Sequence, residues 1–333
     1  TFMTNVQSAR PYFRTPTFSP DGSTIAFVHA GDIWLVPRSG GNAERLTAHP
    51  AGHSSPRFSP DGNYIGFSST RTGHGDIYVL PLHGGEVRRL TYHDSTDTLE
   101  SWTPDSQFLF YSSEANQQGG SIYRIPLGGG TPIPWLSQPY ERLNSLSISP
   151  DGTKLAFNVS RDRWWRRGPN PYGGSEIWVV DNVPKATSFT RIDKYAGMNR
   201  WPLWSIDGKG LYFVSDRDGM ENIWYQPFDE EEAIKITAFN EGRVLWPNIS
   251  KDGKSIVFER DFSIWQLDLA SGESEPIPIQ VRHDSKIVPT QFYTYTREFS
   301  ELRLSPDGKK VAFVAHGEVF ADFADKENDK DRY

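Results

Sequence analysis

The 333-residue chain contains no cysteine. Disulfides, thiolate nucleophiles and cysteine-bound zinc are therefore excluded. It also lacks any apolar run near the ~20 residues that cross a bilayer, so no membrane span is expected. The opening TFMTNVQSARPYF has no basic stretch leading into an apolar core, so no signal peptide is visible. Because the first residue is Thr, the terminus reads as processed or trimmed, and cytoplasm and periplasm both stay open. Positive charge is in deficit, with 35 Lys and Arg against 42 Asp and Glu and a net charge of -7. That balance argues against a nucleic-acid partner, which would need a basic field. Signatures of several chemistries are missing as well. There is no GxSxG elbow, HExxH pair, Walker loop or EF-hand spacing, so no catalytic residue, cofactor or metal is assigned.

What the chain does have is aromatic material and a repeat. Aromatics make up 14% of it, including 11 Trp, which suits a large core. A turn signature recurs as FSPDG (18–22), FSPDG (58–62), WTPDS (102–106), ISPDG (148–152), WSIDG (204–208), ISKDG (249–253) and LSPDG (304–308). Pro presets φ at the second turn position, Asp bonds nearby amides and Gly takes the positive φ that closes the turn. Short apolar runs follow each turn, such as TIAFVH (24–29) and then DIWLVP (32–37), and ERLTAH (44–49) ends the unit. A period of 40 to 50 residues with four short strands per unit predicts an all-β propeller of four-stranded antiparallel blades. One blade cannot bury both faces alone, so neighbours stack around an axis.

Six complete blades are expected over residues 1–281, with four strands each from about Arg14 to Val281. A linker (282–299) then leads to a partial unit at 300–333, whose third strand ends at Phe323 before the polar tail ADKENDKDRY. That unit reads as the start of a second propeller or as a seventh blade. The alternative is a single closed seven-bladed ring that takes its last strand from MTNVQSA near the N-terminus.

The SPDG units with DIW or DIY strands resemble the TolB-like, WD40-like (PD40) propeller repeats. Their irregularities resemble, in order, the N-terminal propeller of tricorn-type proteases: the excursion RDRWWRRGPNPYGGSEIWVV in blade four, then SDRDGMENIW, then ERDFSIWQLD, then LSPDGKKVAFVAHGEVF. The similarity covers essentially the whole chain. It implies a non-catalytic domain that gates or docks peptides for a serine peptidase whose nucleophile lies in parts this chain does not match. The partners it implies are the parent's own protease domains, neighbouring subunits or peptides, with a homo-oligomer possible.

The blade-four excursion carries the candidate site. Arg161, Arg163, Arg166 and Arg167 offer planar donors to carboxylates, and Trp164 and Trp165 offer the side chain most enriched at interface hot spots. The expected role is a docking element for another domain or subunit, or a clamp on peptide carboxylates. The bland alternative folds the tryptophans onto the ring and pairs the arginines with Asp162 and Glu176. Elsewhere, GGG (128–130) reads as a turn, DEEE (229–232) as a solvated turn, and the eight histidines as scattered strand-end residues. Two other functions compete with the peptidase-associated one. One is a stand-alone TolB-like protein-binding propeller, and the other is a metal-dependent propeller lyase or hydrolase.

Overall fold

The computed structural model describes residues 11–115, 120–138, 141–160, 174–192, 194–282, 299–315 and 318–324. All regular structure among them is β-strand. The chain separates into two compact units, 1–284 and 285–333.

The first unit holds six sheets, each built on four antiparallel strands in chain order, and the first gains a fifth, parallel strand. Blade one runs Arg14–Phe18, Thr24–His29, Asp32–Pro37 and Gly41–Arg45. Blades two to five repeat the pattern, with second strands at Tyr64–Ser69, Phe108–Ser113, Lys154–Ser160 and Gly210–Ser215. Blade six runs Leu245–Ile249, Ser255–Arg260, Ser263–Asp268 and Ser274–Pro276. First strands lie innermost, each against the first strand of the next blade, and blade six packs back on blade one. The backbone seals that seam, where Phe13 N donates to the Phe262 carbonyl over 3.1 Å.

The SPDG turns form for the local reason given above. In blade one Ser19 Oγ and Ser23 N both donate to Asp21 Oδ1, and Gly22 takes φ 71°. The Ser19 hydroxyl and the Ser23 contacts hold the Asp21 carboxyl at about 2. These turns also pack on one another between blades. A Cβ on Gly253 of blade six would stand 2.7 Å from Ile206 Cβ of the blade-five turn. Glycine there serves close approach as well as torsion.

Between blades the core is aromatic and branched. Phe27, Phe67, Phe157, Phe213 and Phe258, each fourth in its second strand, are all but fully buried. Edge strands are managed in two ways. Most fourth strands are cut to two or three residues, as in Arg88–Arg89 and Ile234–Lys235. Of the two five-residue fourth strands, Gly41–Arg45 and Ile133–Ser137, the first is capped by a fifth strand, Ile279–Val281, running parallel to Gly41–Ala43. Every blade thus supplies its own four strands, and the strand after blade six crosses the seam as a strap. Ile277, Ile279 and Val281 pack on the cluster shared by blades one and six.

The second unit is a three-stranded meander, Phe299–Leu304, Lys310–Ala315 and Glu318–Phe323. It repeats the blade pattern, including Ser305 Oγ donating to Asp307. Phe299, Leu302, Leu304, Val319, Phe320 and Phe323 are exposed on it.

Candidate functional site

First strands of blades two to six line an open cavity of about 450 Å³. Its walls come from blades two to six, including Arg57, Glu100, Ser145, Trp201 and Trp246. A repeated backbone device shapes them. Each first strand slips register against its second strand, leaving a β-bulge. At five of the six bulges a non-glycine residue sits in the left-handed region: Thr15, Ser55, Ser145, Trp201 and Trp246, with φ between 47° and 56°. In blade three the bulged residue is Glu100, skipped between Leu99 and Ser101. Pro16, Pro56, Pro202 and Pro247 follow four of these positions. Proline cannot donate to a ladder, so in mid-strand it marks such a break. Bulky side chains held at positive φ store strain, and bulges re-aim side chains.

The lumen is two-sided as a result. Trp201 and Trp246, from adjacent blades five and six, pack with centroids 5.1 Å apart at 55° and form an aromatic wall with Pro202 and Pro247. Facing them, blades two to four contribute hydroxyls, Asn144, Arg57 and Glu100. Glu100 is buried at 8% exposure yet accepts Ser112 Oγ at 2.7 Å and Leu146 N at 3.2 Å. Burial outweighs those contacts and pushes its carboxyl up to about 7.

Glu100 is one of a set of staples between blades. The fifth residue of each second strand faces the next blade, and its chemistry changes around the ring: Val28, Ser68, Ser112, Asn158, Val214 and Glu259. Ser68 Oγ accepts Leu99 N at 2.8 Å, joining blades two and three. Asn158 Oδ1 accepts Trp201 N at 2.8 Å while its amide nitrogen donates to the Asn199 carbonyl at 2.8 Å, joining blades four and five. Between blades three and four Ser112 donates to Glu100, which takes the Leu146 amide. Between blades six and one Glu259 accepts Tyr12 Oη at 2.8 Å, and Asn248 Oδ1 accepts Phe18 N at 3.0 Å. Burial raises the Glu259 carboxyl too.

One rim of the lumen is uneven. The hairpins between second and third strands are two-residue turns in blades one and six, Ala30–Gly31 and Asp261–Phe262, all at positive φ. Those of blades two to five are longer. The blade-four hairpin is the excursion itself, and Arg161, Arg163, Trp164, Trp165, Arg166 and Arg167 lie outside the described residues. Its anchor is visible: Ser160 lines the lumen, and its hydroxyl lies 3.3 Å from Ser175 Oγ. Glu176, a suggested local partner for the arginines, bonds Arg191 at 3.0 Å and Trp178 Nε1 at 3.0 Å.

His53 does not act alone in this frame. His53 is buried, with Nδ1 3.0 Å from Ser69 Oγ and Arg71 Nη2 3.3 Å from Nε2. Burial, then the Arg71 charge, pulls its pKa down to about 4. Sequence reasoning missed both the staples and the bulges. The mid-strand prolines were the available signal for the bulges.

Against known proteins, residues 10–273 match the family described as the tricorn protease N-terminal β-propeller domain. Tricorn protease homolog 1 of Streptomyces coelicolor is 29% identical over 86% of this chain and 26% of its own length. The chain thus spans about a quarter of that curated relative. The crystal structure of the tricorn protease aligns at TM-score 0.66 and 21% identity, over 94% of this chain and 30% of that one. A putative TolB from Agrobacterium tumefaciens aligns at TM-score 0.52 and 22% identity, over 80% of each chain.

Proposed function

The chain belongs to the family of tricorn protease N-terminal β-propellers, and from that premise we propose that it is a non-catalytic domain of a tricorn-like serine peptidase. In this role it gates or docks peptides, other domains of the parent protein or neighbouring subunits, and the catalytic serine lies elsewhere in that parent. Residues 1–281 act as the propeller, 282–299 as a linker, and 300–333 as the start of a further blade or propeller with a polar tail. The observation that supports this proposal is the open lumen between the blades, walled by strained bulges and bordered by the base of the Trp- and Arg-rich excursion.

Arg161, Arg163, Trp164, Trp165, Arg166 and Arg167 form the docking element. The test is made in the full-length protein, with Trp164→Ala, Trp165→Ala, Arg166→Ala and Arg167→Ala combined. Peptide turnover and sedimentation are then compared with wild type. Loss of assembly, or of turnover on long peptides, is expected with an unchanged β circular-dichroism spectrum. Unaltered turnover and sedimentation would remove the docking role.

A further inference from the structure

Ionisable side chains are few in the lumen wall: Arg57, Glu100, Glu114, Arg142 and Arg200. Four of them are committed to neighbours. Arg142 Nη1 lies 3.4 Å from Glu114, and both side chains are more than half exposed. Arg200 is buried, with Nη2 3.2 Å from Met198 Sδ. The Glu100 carboxylate takes the Ser112 hydroxyl and the Leu146 amide. Arg57 differs from all four.

Its register singles it out. Each first strand sets one residue opposite the third residue of its second strand: Thr17, Arg57, Ser101, Ser147, Leu203 and Asn248 around the ring. The last five line the lumen. Of the six, Arg57 alone carries a charge, in a chain whose net charge is -7. Its side chain is fixed at two points, and both partners are neutral carbonyls. Nε donates to the Glu100 carbonyl over 3.3 Å and Nη1 to the Pro56 carbonyl over 3.0 Å. Among the described residues Nη2 has no partner. Burial works against the guanidinium charge, and Glu100 is the acid that favours it. That acid meets Arg57 through its backbone carbonyl and turns its carboxylate to Ser112 and blade four. A partly buried cation with no carboxylate bonded to it carries a desolvation cost that an anion from outside would offset.

We propose that Arg57 is an anion-binding residue of the lumen, and that the cavity takes short peptides by a carboxylate, with an apolar side chain of the same peptide on the Trp201–Trp246 wall. The guanidinium fork has more N–H donors than its two carbonyls use, and its planar shape matches a carboxylate through paired bonds. The cavity of about 450 Å³ falls within the roughly 300–1,000 Å³ of small-ligand sites. Ser55, Ser101 and Ser147 line the same cavity and offer hydroxyls to peptide amides. One fixed cation on the polar wall and one apolar wall facing it set which way a ligand lies. This inference rests on the reading that peptides meet the chain at the lumen, and it names the chemistry selected there.

Calorimetric titration of the 333-residue chain tests it with three peptides. The first is Ac-Ala-Phe-Ala with a free C-terminal carboxylate, and the second is its C-terminal amide. The third is the amide of Ac-Ala-Phe-Asp, whose carboxylate is on the side chain. At least one acid peptide is expected to bind roughly tenfold more tightly than the uncharged amide, the order of one charge-assisted contact. That margin should shrink on raising the salt concentration, and the tighter acid identifies the source of the carboxylate. Arg57→Gln should bring all three peptides within about twofold. Arg57→Lys, which keeps the charge and loses the fork, should retain part of the margin. Equal binding of acids and amide, no binding by any of the three, or a margin that survives Arg57→Gln would overturn the site. If Arg57→Gln fails to fold, the acid-to-amide ratio of the wild-type chain and its salt dependence decide. Arg57→Gln in the full-length protein separates the site from the function it serves. Unchanged peptide turnover there, with binding to the chain lost, would keep the site and take the lumen out of the peptide's route.

Discussion

Single residues show where local chemistry meets the constraint of the ring. His53 is held neutral by burial and by Arg71, with its pKa at about 4. A folded pKa below the unfolded ~6.5 means that the unfolded chain takes up the proton first as pH falls. His53 therefore costs stability progressively between about 6.5 and 4, by about 1 to 2 kcal/mol after allowance for solvent screening. Urea unfolding across that range should show a shallower acid limb in His53→Phe; an unchanged slope would refute the assignment. Backbone strain gives a second test. Ser145 sits at φ 55° and uses only its N–H toward Glu100. Ser145→Val should cost about 1–2 kcal/mol, since a β-branched side chain is poorly tolerated there, and Ser145→Gly should cost less. Equal midpoints for the two variants would contradict a left-handed bulge.

At the level of strands and turns, much was legible because it is local. Pro, Asp and Gly set the turn torsions by themselves, and the alternation that follows them is a two-residue period. The boundaries TIAFVH (24–29) and DIWLVP (32–37) coincide with the observed strands. The staples were illegible for the opposite reason. Val28, Ser68, Ser112, Asn158, Val214 and Glu259 share a position and no chemistry, so no pattern in one repeat reveals what the next blade requires. Bulge residues vary as widely, from Thr15 to Trp246, although the proline after four of them is constant. Nor could spacing show that Ile279–Val281 adds to blade one, since that pairing joins positions nearly a whole ring apart. The staple network predicts unequal costs. Asn158→Ala orphans the Trp201 amide and the Asn199 carbonyl in a buried joint, about 3 kcal/mol for two unpaired groups. Ser68→Ala orphans one amide and should cost about half as much. Chemical denaturation of the two variants checks the order, and a reversal would show that the joints are held mainly by apolar packing.

The whole molecule depends on closing a circle with a chain that has two ends. Blade six meets blade one through Phe13, Tyr12 and Asn248, and the strap buries Ile277 and Ile279 across that seam. Two truncations isolate the strap, one after Pro276 and one after Asp284, both without the second unit. The shorter should melt several degrees lower, because it loses three apolar residues from the shared cluster; coincident melting curves would mean that the seam holds without it. On the function proposed here, the ring makes and breaks no bonds and acts on peptides by position alone. The most direct test of that role is hydrolysis of a panel of fluorogenic peptides by the purified 333-residue chain. No turnover above buffer is predicted at any pH between 5 and 9. Turnover that co-purifies with the chain and is blocked by a serine-directed inhibitor would contradict it.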